Sequence, residues 1–81
     1  MRVVIRLFAR LRDIAGSADL VRDAPAGATV ADVWRSLVAE YPEMARYDSS
    51  ISSAVNADYA KMTAALSEGD EVAFLPPVSG G

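Results

Sequence analysis

The chain contains no cysteine and no histidine among its 81 residues. Without cysteine it has no disulfide, no thiolate nucleophile and no sulfur ligand for a metal. Without histidine it lacks the side chain that most often performs acid–base catalysis near neutral pH and that most often binds metals. Most familiar active sites therefore cannot be built from these residues, and we expect no metal site.

An excess of positive charge is also missing. The formal net charge is -3 and the isoelectric point is near 4.7, whereas a nucleic-acid surface needs clustered Lys and Arg. Arg2, Arg6, Arg10 and Arg12 lie close together but are interleaved with apolar residues and followed by Asp13. This pattern is typical of a strand and turn with solvated arginines, so we expect no nucleic-acid partner.

Long apolar runs are absent as well. Hydrophobic residues make up 52% of the chain and charged residues 23%, which favours a folded domain over a disordered chain or a bilayer-spanning helix. The first five residues, Met-Arg-Val-Val-Ile, lack the apolar stretch and cleavage site of a signal peptide. We expect one small soluble domain in the cytoplasm, with no membrane partner.

Apolar periodicity predicts the first strands and the main helix. The chain has two strand-like segments, Arg2 to Phe8 and Asp19 to Ala24, with a short helical turn from Ala9 to Ala15 before Gly16. Thr29 and Asp32 have the spacing of a capping box, which predicts that a helix begins there. Its apolar face comprises Val30, Val33, Trp34, Leu37, Val38 and Tyr41, and Pro42 predicts its end.

The second half of the sequence predicts shorter helices and strands. Pro42 to Ser53 indicates a short helix and loop, and Asn56, Ala57 and Asp58 indicate a turn between strands at Ala54 to Asn56 and Tyr59 to Ala60. A turn over residues 67–70 precedes a last strand from Glu71 to Leu75. These elements predict an α+β fold in which one main helix covers one face of a small sheet.

The other sheet face is left to solvent or to a partner. If Val3, Ile5 and Leu7 face the helix, alternation points Val4 and Phe8 away from it. In the last strand, Val72 and Phe74 face the helix while Ala73 and Leu75 point away. This outer face is more apolar than solvent alone would favour.

The last residues carry the most specific signal. Pro76 and Pro77 cannot continue a sheet ladder and favour an extended chain, which Val78, Ser79, Gly80 and Gly81 follow. Two glycines make a tail thin enough to enter a narrow channel of another protein. A chain without Cys or His cannot activate its own carboxylate, so any chemistry at Gly81 must be performed by a partner.

These features resemble the ubiquitin-like sulfur carriers, and within them the small subunits of molybdopterin synthases. The resemblance covers nearly the whole chain and is carried by residues 8–16, Ala54-Val55-Asn56 and residues 69–81. It implies a β-grasp domain over residues 1–75 and an extended tail over residues 76–81.

The resemblance implies that the chain is a cosubstrate with no catalytic activity alone. An ATP-dependent adenylating enzyme would activate the Gly81 carboxylate, and a sulfur donor protein would supply the sulfur of a thiocarboxylate. The tail would then enter the large subunit of molybdopterin synthase, where the sulfur attacks a cyclic pyranopterin precursor. The chain itself would bind no cofactor, and ATP would be consumed by the activating enzyme.

The resemblance also assigns roles to individual residues. Gly81 would react, residues 76–80 would thread the tail, and Phe8, Tyr59 and Leu75 would form an apolar docking surface, with Tyr59 where an aliphatic residue is expected. Lys61, the sole lysine, has no assigned role. Three alternatives stay open: a carrier for cysteine or thiamine synthesis, a protein modifier conjugated through Gly81, and an interaction domain whose glycine tail is incidental.

Overall fold

The computed structural model describes residues 1–77. Its elements follow the order that the sequence predicts for an α+β protein. The strands are β1 (Arg2–Leu7), β2 (Asp19–Asp23), β3 (Ser52–Val55), β4 (Asp58–Tyr59) and β5 (Glu71–Leu75), and the helices are α1 (Ala9–Ala15), α2 (Val30–Glu40) and a 3₁₀ helix over Pro42–Tyr47.

The five strands form one mixed sheet in the order β2-β1-β5-β3-β4. The central strands β1 and β5 are parallel, with Val4 opposite Glu71 and Leu7 opposite Phe74. The other three pairings are antiparallel. Because parallel strands end at the same edge of a sheet, β1 leads into α1 at the same end from which the C-terminal residues leave β5. We call this end of the sheet the tail end.

The main helix α2 begins and ends for the reasons that the sequence predicts. The Thr29 hydroxyl accepts the backbone N–H of Asp32, and the Asp32 carboxylate accepts the backbone N–H of Thr29, so the capping box is present. The helix ends at Glu40, two residues before Pro42. Its buried residues are Val30, Val33, Trp34 and Leu37.

The core lies between α2 and one face of the sheet. The side chains of Val3, Ile5, Leu7, Val72 and Phe74 point into it and are at most 2% exposed. The Trp34 ring centroid lies 5.1 Å from that of Phe74, and the indole Nε1 donates to the Asp48 carboxylate at 2.8 Å. Burial of each large apolar side chain contributes about 1.5–3 kcal/mol. The predicted alternation of the two central strands is therefore confirmed.

Helix α1 closes the tail end of the core. Its Leu11 side chain is fully buried, and the helix ends at Gly16, whose φ of 76° lies in the left-handed region. The Gly16 N–H donates to the carbonyl of Arg12 at 2.8 Å, as in a helix C-cap. The terminator predicted at Gly16 is confirmed.

The predicted third and fourth strands, Ala54 to Asn56 and Tyr59 to Ala60, are displaced from the observed ones. Strand β3 begins two residues earlier, at Ser52, and Asn56 lies in the turn with a φ of 50°. The buried Ser53 hydroxyl donates to the carbonyl of Ala60 at 2.7 Å. Because this bond satisfies the hydroxyl, a serine-rich segment can form a strand.

Three further boundaries differ from the prediction by one residue. Asp58 belongs to β4, β2 ends before Ala24, and β1 ends before Phe8. Phe8 keeps an extended backbone, with φ -123° and ψ 154°, but serves as the N-cap of α1. Its carbonyl accepts the N–H of Leu11, so the helix takes Phe8 out of the strand ladder.

The predicted division into a domain over residues 1–75 and a tail over residues 76–81 is described only in part. Pro76 and Pro77 follow β5 without joining it. Val78, Ser79, Gly80 and Gly81 lie outside the described residues. Within residues 1–77, no helix has the length and apolar character needed to cross a bilayer.

Candidate functional site

The sheet face opposite α2, the outer face, gathers the exposed large apolar side chains of the described residues. These are Phe8, Val21 and Tyr59, at 43%, 52% and 84% exposure. Strand register places Val21 opposite Val4, which points away from the core. The outer face therefore presents a surface that a protein partner could cover.

Phe8 and Leu75 are neighbours on this face. Leu7 lies opposite Phe74 in the parallel pair of β1 and β5, so the next residues along each strand lie side by side. Both point outward because Leu7 and Phe74 point into the core. Phe8 is exposed and Leu75 half-buried, and together they form an apolar pair at the tail end.

Tyr59 reaches the outer face through a tight turn. Asn56 and Ala57 both have positive φ, 50° and 73°, as the central residues of a type I′ hairpin turn do. The turn pairs Tyr59 with Ala54, which in turn lies opposite Ala73. Since both alanine side chains are small, the tyrosine ring projects above the part of the outer face next to it. We call Phe8, Leu75 and Tyr59 the docking patch.

Asn56 fixes this hairpin to the start of β5. Its side-chain oxygen accepts the backbone N–H of Glu71, and its amide donates to the Asp70 carboxylate, both at 3.0 Å. The backbone N–H of Ser67 and this Asn56 amide hold the pKa of Asp70 below its usual value. Asp70 therefore stabilises the turn before β5.

Arg6, the cation at the centre of the outer face, is paired with carboxylates of this chain. The Arg6 guanidinium lies 3.0 Å from the Glu71 carboxylate and 3.4 Å from that of Asp19. On the helix side, Glu40 binds Arg22 at 2.8 Å, and this hydrogen bond holds the pKa of Glu40 below its usual value. These carboxylates serve the fold and leave the docking patch apolar.

A groove of about 450 Å³ runs along β3 and β4 beside the patch. Its walls include Ile51, Ser52, Tyr59, Lys61 and Met62. Leu75 lies opposite Ser52, and the N–H of Ala60 donates to the carbonyl of Ser53. Continuing this register places Lys61 beside Ser52. Sequence reasoning missed this position, because it requires the hairpin register set at Asn56 and Ala57.

The described part of the site can hold a protein surface, and its chemistry would come from the tail. Every buried side-chain nitrogen and oxygen of the described residues has a hydrogen-bond partner, so none awaits a ligand. Pro76, half-buried, and Pro77, exposed, begin the tail next to Leu75. The predicted tail residues Val78, Ser79, Gly80 and Gly81 lie outside the described residues.

Comparison with known proteins finds matches over the whole chain. The model of the ThiS family matches residues 5–81. The molybdopterin synthase sulfur carrier subunit of Arabidopsis thaliana is 33% identical over 81 residues, covering 100% of this chain and 84% of that protein. The Escherichia coli protein of the same name is 32% identical over 83 residues, covering 98% of this chain and 99% of that protein.

A solved structure matches the fold over its full length. The crystal structure of small archaeal modifier protein 1 from Haloferax volcanii superposes with a TM-score of 0.87 and 35% identity, covering 100% of both chains. The β-grasp fold expected from the sequence is confirmed by this likeness together with the strand order.

Proposed function

The chain belongs to the ThiS family, and on this premise we propose that it is a sulfur carrier for molybdopterin synthesis, with its sulfur held at Gly81. In the proposed cycle a carboxylate oxygen of Gly81 attacks the α-phosphorus of ATP, and pyrophosphate leaves. A sulfide equivalent from a donor protein then displaces AMP, which gives a thiocarboxylate. No side chain of this chain needs to hold sulfur, in keeping with its lack of cysteine.

The observation that carries this proposal is the position of the tail root, by which we mean Leu75 and Pro76, beside the docking patch. Leu75 is both the last residue of β5 and a member of the patch. The six residues after it, extended, span at most about 20 Å. A partner that covers the patch can therefore receive the tip of the tail at a fixed distance from its own surface.

Two partners would use this arrangement in turn. The adenylating enzyme would bind the patch and hold Gly81 at its ATP site. The large subunit of molybdopterin synthase would then bind the same patch and bring the thiocarboxylate, as the sulfur donor, to a cyclic pyranopterin precursor. Because one patch serves both, the chain must leave the first partner before it binds the second.

The intact mass of the protein tests this proposal. We expect incubation with ATP, the adenylating enzyme and a sulfur donor to raise the mass by the difference between one sulfur and one oxygen atom. A chain lacking Gly81 should keep its original mass while its fold, measured by circular dichroism, stays unchanged. The reason is that the reacting carboxylate would no longer reach its position in the enzyme.

A chain with one residue added after Gly81 provides the matched control. It keeps both glycines but moves the carboxylate by more than 1 Å, a displacement that can cost roughly a hundredfold in rate. Undiminished sulfur loading of this longer chain would contradict the tail mechanism.

A protein modifier conjugated through Gly81 is the second candidate, favoured by the full-length likeness to small archaeal modifier protein 1. Both functions begin with the same adenylate, and they differ in the nucleophile that displaces AMP. A lysine amine would give an amide and a higher-mass adduct with another protein. Such adducts, formed without the sulfur mass change, would favour the modifier function.

A further inference from the structure

The net charge of -3 is unevenly divided between the two ends of the sheet. At the tail end, segments 8–18, 47–53, 60–63 and 75–77 carry three cations, Arg10, Arg12 and Lys61, and two acids, Asp13 and Asp48. At the opposite end, segments 1–2, 23–29, 56–58 and 67–70 carry two cations, the N-terminal ammonium and Arg2, and four acids, Asp23, Asp58, Glu68 and Asp70. An acidic protein thus surrounds its tail root with positive charge.

Within residues 1–77, no carboxylate forms an ion pair with the cations of the tail end. Ion pairs within residues 1–77 involve Arg6, Arg22 and Arg35 and leave out Arg10, Arg12 and Lys61. These three side chains belong to exposed residues. A partner's carboxylates could therefore approach them without first breaking an ion pair of this chain.

The register places these cations on both sides of the apolar pair. Arg10 and Arg12 lie on α1, directly after Phe8. Across the sheet, Leu75, Ser52 and Lys61 follow Phe8 on successive strands. Three inter-strand spacings separate Phe8 from Lys61, or about 15 Å. Positive charge thus flanks the tail root at both sides of the docking patch.

On the premise of the proposed function, we propose that the adenylating enzyme presents two acidic clusters at the mouth of the channel that receives the tail, one facing Arg10 and Arg12 and the other facing Lys61. The acidic opposite end of the sheet is repelled by the same partner, so the chain approaches tail first. Such charge complementarity raises association rates and selects orientation more than it raises affinity.

An acidic peptide probes this surface without the partner. We expect a glutamate homopeptide, titrated into the full ¹⁵N-labelled chain, to shift the amide resonances of Arg10, Arg12 and Lys61. The shifts should fade between about 0.01 M and about 0.15 M salt, as the Debye length falls from about 30 Å to about 8 Å. A lysine homopeptide of equal length should instead shift the amides of residues 67–71.

Charge-reversal variants test the same surface against the adenylating enzyme. Arg10→Glu and Lys61→Glu should each slow its association with the chain by about three- to tenfold at low salt. Arg2→Glu makes the same charge change at the opposite end of the sheet, on an exposed side chain that is likewise absent from the ion pairs within residues 1–77, and should leave the rate within about twofold. All three residues are exposed, so circular dichroism should show an unchanged fold.

The outcomes separate this inference from the proposed function. Equal shifts at Arg2 and at Lys61, or equal slowing by all three variants, would overturn the acidic-partner inference. Tighter binding of a single-stranded oligonucleotide than of the glutamate peptide would overturn it in favour of a nucleic-acid partner. Absence of the sulfur mass change in the unaltered chain would count against the proposed function, whatever the peptide shows.

Discussion

At the scale of single residues, Ala57 holds a conformation that alanine disfavours. Its φ is 73°, in the left-handed region where a Cβ costs about 1–2 kcal/mol. Asn56, the other central residue of this turn, is fixed by hydrogen bonds to Asp70 and Glu71. Ala57 is exposed, so its replacement disturbs no buried contact.

We predict that Ala57→Gly stabilises the protein by about 0.5–1 kcal/mol, because Asn-Gly is the preferred pair for a type I′ turn and relieves the strain. Urea unfolding followed by circular dichroism measures the change. Ala39→Gly is the control: this exposed alanine lies in α2, where glycine should destabilise by about 0.5–1 kcal/mol. Equal destabilisation by both variants would mean that the turn does not strain Ala57.

At the scale of elements, the N-terminus of α2 depends on the charge of Asp32. The backbone N–H of Thr29 and then the Arg35 guanidinium donate to this carboxylate, and both lower its pKa. An aspartate in an unfolded chain has a pKa of about 3.9. The stability contributed by ionised Asp32 is therefore complete above that pH and is lost as the pH falls through the lower pKa of the folded state.

We predict that Asp32→Asn lowers the free energy of unfolding at about pH 6, and that this deficit shrinks as the pH falls through the lowered pKa of Asp32, because both side chains are then neutral. Urea unfolding of the two proteins across this range measures it. Arg35→Ala removes only the guanidinium that helps to lower the pKa of Asp32. It should therefore lower the free energy of unfolding by a smaller amount, with the same pH dependence. A deficit that is constant with pH would show that the charge of Asp32 does not stabilise α2.

The elements also show how far the sequence predicts the fold. α2 and β5 follow from local signals, the capping box at Thr29 and the alternation over Glu71–Leu75. β3 and β4 do not follow from local signals. The buried hydroxyl of Ser53 needs a hydrogen-bond partner, and it finds one in the carbonyl of Ala60. That bond joins Ser53 of β3 to Ala60, the residue after β4, and local periodicity carries no information about it.

The candidate functional site is likewise only partly predictable from the sequence. The outward direction of Phe8 and Leu75 follows from alternation within each strand, and the structure places both on the outer face. The position of Lys61 beside Ser52 depends on the register across a turn. The cationic flanks of the tail root likewise depend on which strands are neighbours, so the charge distribution emerges only from the folded chain.

At the scale of the whole molecule, the proposed function requires that only part of the outer face binds partners. Phe8 and Val21 are both exposed apolar residues on this face, at 43% and 52%. Phe8 lies at the tail end beside Leu75, whereas Val21 lies on the edge strand β2. A partner centred on the tail root would cover Phe8 and leave Val21 at its rim.

We predict that Phe8→Asp weakens binding to the large synthase subunit and to the adenylating enzyme at least about tenfold, because an aspartate at the centre of an interface would be desolvated without a partner. Val21→Asp should change either affinity by less than about threefold, since charged residues at a rim contribute little. Isothermal titration calorimetry measures both, and circular dichroism checks that each variant folds. Equal weakening by the two variants would indicate an interface that spans the whole sheet, and unchanged binding of Phe8→Asp would place the docking surface elsewhere on the molecule.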